Sequence, residues 1–150
     1  MLKVERANHQ NLYILSLLFD SYRVFYGQPS NRDAAKSFLT NRLTNKESVI
    51  FLAFENDVPV GFVQLYSTFS SVSLEQFYIL NDLFVDVKYR GKGIGSLLLD
   101  RAKEHCASAE YKGLALETAK DNPAQNLYEK LGWKKDTEFL HYFWTCPKNE

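Results

Sequence analysis

The chain has two cysteines, one methionine and four prolines in 150 residues, no excess of either charge, and no long apolar run. Each shortage excludes something. Cys106 and Cys146 are too few for a disulfide framework, and free thiols in a reducing cytoplasm are the expectation. The three histidines, His9, His105 and His141, belong to no H-E-x-x-H or Cys/His cluster, so no metal site is expected. Lys plus Arg and Asp plus Glu are 18 each, and this balance argues against a nucleic-acid partner. Leu12 to Phe19 is the longest apolar run near the start. It is interrupted by Ser16 and followed by Asp20, too short to span a bilayer and unlike a secretory leader. A cytoplasmic protein with no membrane contact is expected.

What is present suits one folded domain over residues 1–150. The hydrophobic fraction is 45% and the aromatic fraction 15%, enough to fill a single core. No repeat or Pro/Gly-rich linker divides the chain. Leu2 to Arg6 reads as a strand. Apolar residues from Leu12 to Tyr26 fall three and four apart, which marks a helix ended near Gly27 and Pro29. Ser30 or Asn31 caps a second helix through Ala34, Ala35, Phe38, Leu39 and Leu43. The period then changes. Val49 to Phe54 and Val58 to Tyr66 form a hairpin about Asn56-Asp57. After a Ser-rich bend, Phe77 to Val87 is a strand, Gly93 to about Ala109 a helix, and Leu114 to Thr118 a strand. Ala124 to Leu131 is a helix, and Thr137 to Trp144 an aromatic final strand. The expected class is mixed α/β, in the order β-α-α-β-β-β-α-β-α-β. Its first half is antiparallel, and a right-handed parallel unit runs from Phe77 to Thr118.

The segment from Leu80 to Ser96 carries the chemistry. A strand leads into a loop holding Gly91, Gly93, Gly95 and the cations Lys88, Arg90 and Lys92, and the loop opens a helix. Glycines admit close approach to a ligand, and a helix start offers free N–H groups and a positive dipole end. The combination suits a pyrophosphate. A solvated surface turn explains the same residues on their own. No Gly-Lys-Ser/Thr follows, so this is not a Walker A loop. A dinucleotide fingerprint fits Gly91 and Gly93 but meets Ser96 where its third glycine belongs. Glu117 falls near its ribose-binding acid, yet too little chain follows for the rest of that fold.

A second motif separates these readings. Arg90-x-x-Gly93-x-Gly95 resembles the Q/R-x-x-G-x-G/A loop of the GNAT superfamily of N-acetyltransferases. Asn122-Pro-Ala-Gln-Asn-Leu-Tyr128-Glu-Lys-Leu-Gly132-Trp133 resembles that family's N-x-x-A-x-x-L-Y-x-K-x-G-[FW] segment. Leu80 to Asp86 is most similar to the branch acting on polyamines, histone tails and other small amines. The resemblance implies that the strands ending at Val87 and Thr118 splay apart and that acetyl-CoA enters the gap as an added strand. Backbone groups near Phe84, Val85 and Val87 would face the cofactor. Arg90, Gly91, Lys92, Gly93, Ile94, Gly95 and Ser96 would hold its pyrophosphate, with Asn122 on the other side.

The implied reaction is attack of a neutral amine on the thioester, with a backbone N–H near Val85 stabilising the oxyanion. An alkyl amine has a pKa of about 10.4, so a base must deprotonate it. Relatives acting on polyamines often carry Glu where this chain has Asn81. Asp82 and Glu117 are the remaining candidates for base or cation anchor, and a solvated strand position explains either equally. Tyr128 fits the acid that protonates the leaving thiolate, although its helical spacing with Ala124, Leu127 and Leu131 also suits plain packing. Tyr22, Phe25 and Tyr26 are candidate walls of the acceptor pocket or core aromatics. The expected partner is a small-molecule or peptide amine, and the aromatic C-terminal segment suits a homodimer. The competing function is an acyl-CoA binder or sensor without turnover.

Overall fold

Residues 1–148 are described by the structure, a computed structural model. β1 (Leu2–Arg6) leads into α1 (Leu12–Phe25) and α2 (Arg32–Thr44). β2 (Ser48–Glu55), β3 (Val58–Ser70) and β4 (Glu75–Val85) follow, then α3 (Ile94–Ser108), β5 (Leu114–Ala115) and α4 (Ala124–Lys130). The chain forms two compact units, Met1–Glu117 and a second beginning at Thr118.

Local chemistry explains the boundaries. Asn56 and Asp57 both take positive φ, 48° and 67°, as a tight turn between right-twisted strands requires. Asn31 caps α2 by accepting the Ala34 N–H at 3.1 Å. Asp20, buried near the end of α1, accepts from the Ser30 hydroxyl at 2.6 Å and the Asn31 N–H at 2.7 Å. The Ser30 bond, the Asn31 N–H and nearby arginines hold its carboxyl below the usual range against the opposing effect of burial. One buried carboxylate therefore ties the two helices together.

The sheet runs β1-β2-β3-β4-β5. The first four strands are antiparallel, and β5 is parallel to β4. Phe62 on β3 packs against Phe19 of α1, and Phe51 on β2 against His105 of α3. Phe51 and Leu52 face Val63 and Phe62, respectively. Alternation thus gives the sheet an α1 face and an α3 face. Ile50, Leu52, Phe54, Phe62 and Phe84 join Leu15, Leu18 and Phe19 in the core on the α1 face.

A bulge interrupts β4. Leu80 pairs with Leu65 and Asp82 with Gln64, which leaves Asn81 without an opposite residue. Before the bulge, Tyr78 points to the α3 face, its hydroxyl 3.1 Å from His105 Nε2. After it, Phe84 belongs to the α1-face core. The extra residue reverses which side chains face which helix.

Two expectations from the sequence change. β5 is paired only at Leu114 and Ala115, opposite Tyr78 and Ile79, so among the described residues β4 runs on from Leu80 to Val85 with no strand on that side. That is the expected splay, with β5 shorter than Leu114 to Thr118. Thr137 to Trp144 is not a strand. Phe139, Tyr142, Phe143 and Trp144 are largely exposed. Their composition supplies β propensity, but no strand among the described residues pairs with them, and propensity without a partner does not make a strand.

Candidate active site

The strand–loop–helix segment is built as expected at its end. Val85 closes β4, and Val87–Tyr89 make one 3-10 turn, so Val87 lies in that turn and not on the strand. Asp86 caps the turn by accepting the Lys88 N–H at 2.9 Å. Gly91 and Gly93 have φ of 80° and 81°, which favours glycine at both positions, and no atom lies within 4 Å of where a Cβ would stand on either. Gly93 is the N-cap of α3, and no side chain caps that helix. The N–H groups of its first turn have no intrahelical acceptors, so Ile94, Gly95 and Ser96 present donors at the positive end of the helix. Ile94 buries its side chain and can offer a ligand only its backbone. Gly61 on β3 lies close beneath β4, where a Cβ would come within 2.7 Å of the Phe84 carbonyl oxygen.

Two of the three loop cations are already engaged. Lys92 Nζ pairs with Glu55 at 3.3 Å and lies over the Tyr89 ring. Arg90 Nε donates to the Val85 carbonyl at 2.9 Å, and its guanidinium stacks over Phe25 at 5.0 Å. The anion-binding capacity of the loop therefore rests first on backbone donors. An unpaired β4 edge leading to an uncapped helix start with open space beside two glycines fits a pantetheine–pyrophosphate ligand.

On the α1 face, Asp82 is 5% exposed. Gln64 Nε2 donates to its Oδ2 at 2.7 Å and Asn81 Nδ2 to its Oδ1 at 3.1 Å. No ion pair reaches Asp82 among the described residues. Burial first, then the charge and a hydrogen bond of Asp82, push the Tyr22 phenol far above its ordinary pKa. Tyr66 is pushed up to about 12, by burial and then by the same charge. Both phenols are therefore proton donors near neutral pH. Tyr22 stacks edge-on with Tyr26, Phe62 and Phe84. Tyr26 and Phe25 continue outward and are exposed. The aromatic residues thus run from core to surface, with Tyr22 serving both packing and the carboxylate.

Glu117 ends the first unit and is exposed. Asn122 and Tyr128 belong to the second unit. Asn122 Oδ1 accepts the Ala124 N–H at 2.9 Å, a local bond that starts α4. Tyr128 contacts Trp133, ring centroids 5.9 Å apart, and its carbonyl accepts the Trp133 N–H at 3.0 Å. With Gly132 N–H bonded to the Glu129 carbonyl, this closes α4 in a Schellman turn. Gln64 and Tyr66 escaped the sequence reading. Their one signal was a glutamine between Val63 and Leu65 in an otherwise apolar strand.

Among the described residues no cluster of metal-binding side chains occurs, and no helix is long and apolar enough to cross a membrane. The acetyltransferase (GNAT) family model matches residues 12–133. The chain is 44% identical over 147 residues to YhfO, an uncharacterized N-acetyltransferase of Bacillus subtilis, covering 97% of this chain and 99% of the relative. A crystal structure of a probable acetyltransferase superimposes with a TM-score of 0.91 at 37% identity, over 98% of this chain and 99% of that one. The fold is shared, at 18% identity and a TM-score of 0.77, with a predicted acetyltransferase of Clostridium acetobutylicum solved with acetyl-CoA, over 95% and 96% of the two chains. The splayed β4 edge, the glycine-opened helix and these likenesses converge: the chain belongs to the GNAT family and is an acetyl-CoA-dependent N-acetyltransferase.

Proposed function

We propose that the enzyme acetylates a small cationic primary amine, of the polyamine kind, or a lysine side chain. The observation that carries this is Asp82, a buried carboxylate held by neutral donors and lacking a cationic partner among the described residues. Burying an unpaired charge is costly, and an ammonium group would supply the missing counter-charge. Tyr22, Phe25 and Tyr26 offer ring faces and hydroxyls suited to an alkylammonium chain.

In this reading the amine proton passes to Asp82, directly or through the Tyr22 hydroxyl. The amine nitrogen then bonds to the thioester carbonyl carbon, the Val85 N–H takes the oxyanion, and the C–S bond breaks. Tyr128 gives its proton to the departing thiolate and receives the second proton that the acetylated nitrogen sheds, a role supported by the sequence motif around it. Phe84, Val85 and Val87 present main-chain groups to the pantetheine. Arg90 to Ser96 hold the pyrophosphate, and Asn122 assists through its amide. Glu117 is the weaker base candidate because it is exposed. The exposed Phe139, Tyr142, Phe143 and Trp144 support a homodimer, and the sparse cysteines fit a cytoplasmic location.

A second reading, acyl-CoA binding without turnover, is favoured by one residue. Asn81 stands where polyamine-acetylating relatives carry an acid. Release of CoA over a panel of diamines, lysine peptides, uncharged aromatic amines and alcohols decides. Turnover confined to cationic amines is expected. Reaction only with uncharged acceptors would overturn the substrate class, and tight acetyl-CoA binding with no turnover would favour the sensor.

A further inference from the structure

Gln64 is fully buried at the centre of β3, the register places it opposite Asp82, and its amide does two unlike things. The nitrogen donates to the carboxylate at 2.7 Å. The oxygen is buried and has no hydrogen-bond partner. The amide cannot be turned over to cure this, because its oxygen would then face the carboxylate oxygen. A buried acceptor without a donor costs stability, so packing does not explain glutamine here. Leucine would fill this place between Val63 and Leu65, but it would take from the Asp82 Oδ2 the donor it has here. What the glutamine supplies is a neutral donor that fixes a buried carboxylate oxygen. Asn81 adds the second amide donor. Tyr22 from α1 and Tyr66 from β3 are the titratable groups facing Asp82, and both phenols stay protonated.

We propose that Gln64 is a positioning residue that acts through Asp82, holding its carboxylate in place so that the acceptor site selects ammonium groups over neutral amines and alcohols. The inference rests on the reading of the acceptor as a cation. It adds the residue that fixes the Asp82 carboxylate, and it accounts for a buried amide in an otherwise apolar stretch of β3.

The test uses Gln64→Leu and Gln64→Met, the second keeping the side-chain length in case the first folds poorly. Calorimetry with 1,4-diaminobutane and with 1,4-butanediol reads binding without relying on turnover. Diamine affinity should fall about tenfold to a hundredfold, as expected for losing a hydrogen bond to a charged group. Diol and acetyl-CoA affinities should be unchanged, whatever the change in melting temperature. A purely structural role predicts losses of the same size for diamine, diol and acetyl-CoA. If the native enzyme binds diamine and both variants bind it equally well, the role of Gln64 is refuted while the cationic reading stands. If the native enzyme neither binds nor acetylates any cationic amine, both fall together.

Discussion

The two halves of β4 face different neighbours although no glycine or proline marks a break between them. Tyr78, Leu80, Asp82 and Phe84 are spaced two apart, and a regular strand would point all four at one face. Instead Tyr78 packs with His105 on α3, while Asp82 and Phe84 meet Tyr22 of α1. One unpaired residue, Asn81, makes the difference. The first half is ordinary sheet, paired on both sides, with β5 at Tyr78 and Ile79. The second half has a buried polar cluster on one face and a free edge, and it leads straight into the glycine loop. Structure is concentrated before the bulge and chemistry after it.

Phe84→Ala should break the contrast most severely, because Phe84 is the residue that the bulge delivers to the α1-face core, where it meets Tyr22. Loss of that buried ring should cost about 3–5 kcal/mol, and acetyl transfer should be undetectable. Chemical denaturation and CoA release would check both.

Asp82→Asn keeps the shape and removes the charge. If Asp82 takes the amine proton, kcat/KM for a cationic amine should fall about 10²–10⁴-fold while acetyl-CoA affinity holds. Equal loss of acetyl-CoA affinity in calorimetry would show that the cluster serves the fold and not the acceptor.

Gly93→Ala probes the loop beyond the second half. At φ +81° an alanine is strained by about 1–2 kcal/mol, so the loop should relax away from its shape and acetyl-CoA affinity should fall about tenfold. Because the strain is in the backbone, the loss should appear without any clash from the added methyl, and bulkier residues should add to it. Unchanged affinity would place the pyrophosphate elsewhere.

Tyr78→Phe is the control in the first half and should have the smallest effect. It removes the bond to His105, costing about 1 kcal/mol of stability. The KM values for both substrates should not move.

Much of this was legible in the sequence because it is local. The Asn56-Asp57 turn, the cap at Asn31, the period of α1 and the glycine loop are each signalled within a few neighbouring residues. The bulge was not, because no glycine or proline marks it between Tyr78 and Phe84 and the extra residue shows only against β3. Gln64 and Asp20 were missed for a related reason: a single polar residue in an apolar stretch reads as noise until its partner, distant in sequence, is known. The loop cations were recognised, but their engagement with Glu55, Phe25 and the Val85 carbonyl depends on tertiary neighbours. The final aromatic strand was overread, since composition cannot supply a pairing partner.

The bulge also bears on how the hairpin of β3 and β4 can assemble. Zipping outward from the turn at Ser71–Leu74 brings Leu65 and Leu80 together with no ambiguity. The next step has a choice: Gln64 can take Asn81 or skip to Asp82. Nothing in the backbone decides between them, and the wrong choice still makes a continuous ladder. Only α1 can judge the outcome, by accepting Phe84 into its aromatic core or finding Leu83 there instead. Correct completion of β4 therefore depends on a helix made some sixty residues earlier in the chain, and the strand that carries the chemistry is proofread by the core that supports it.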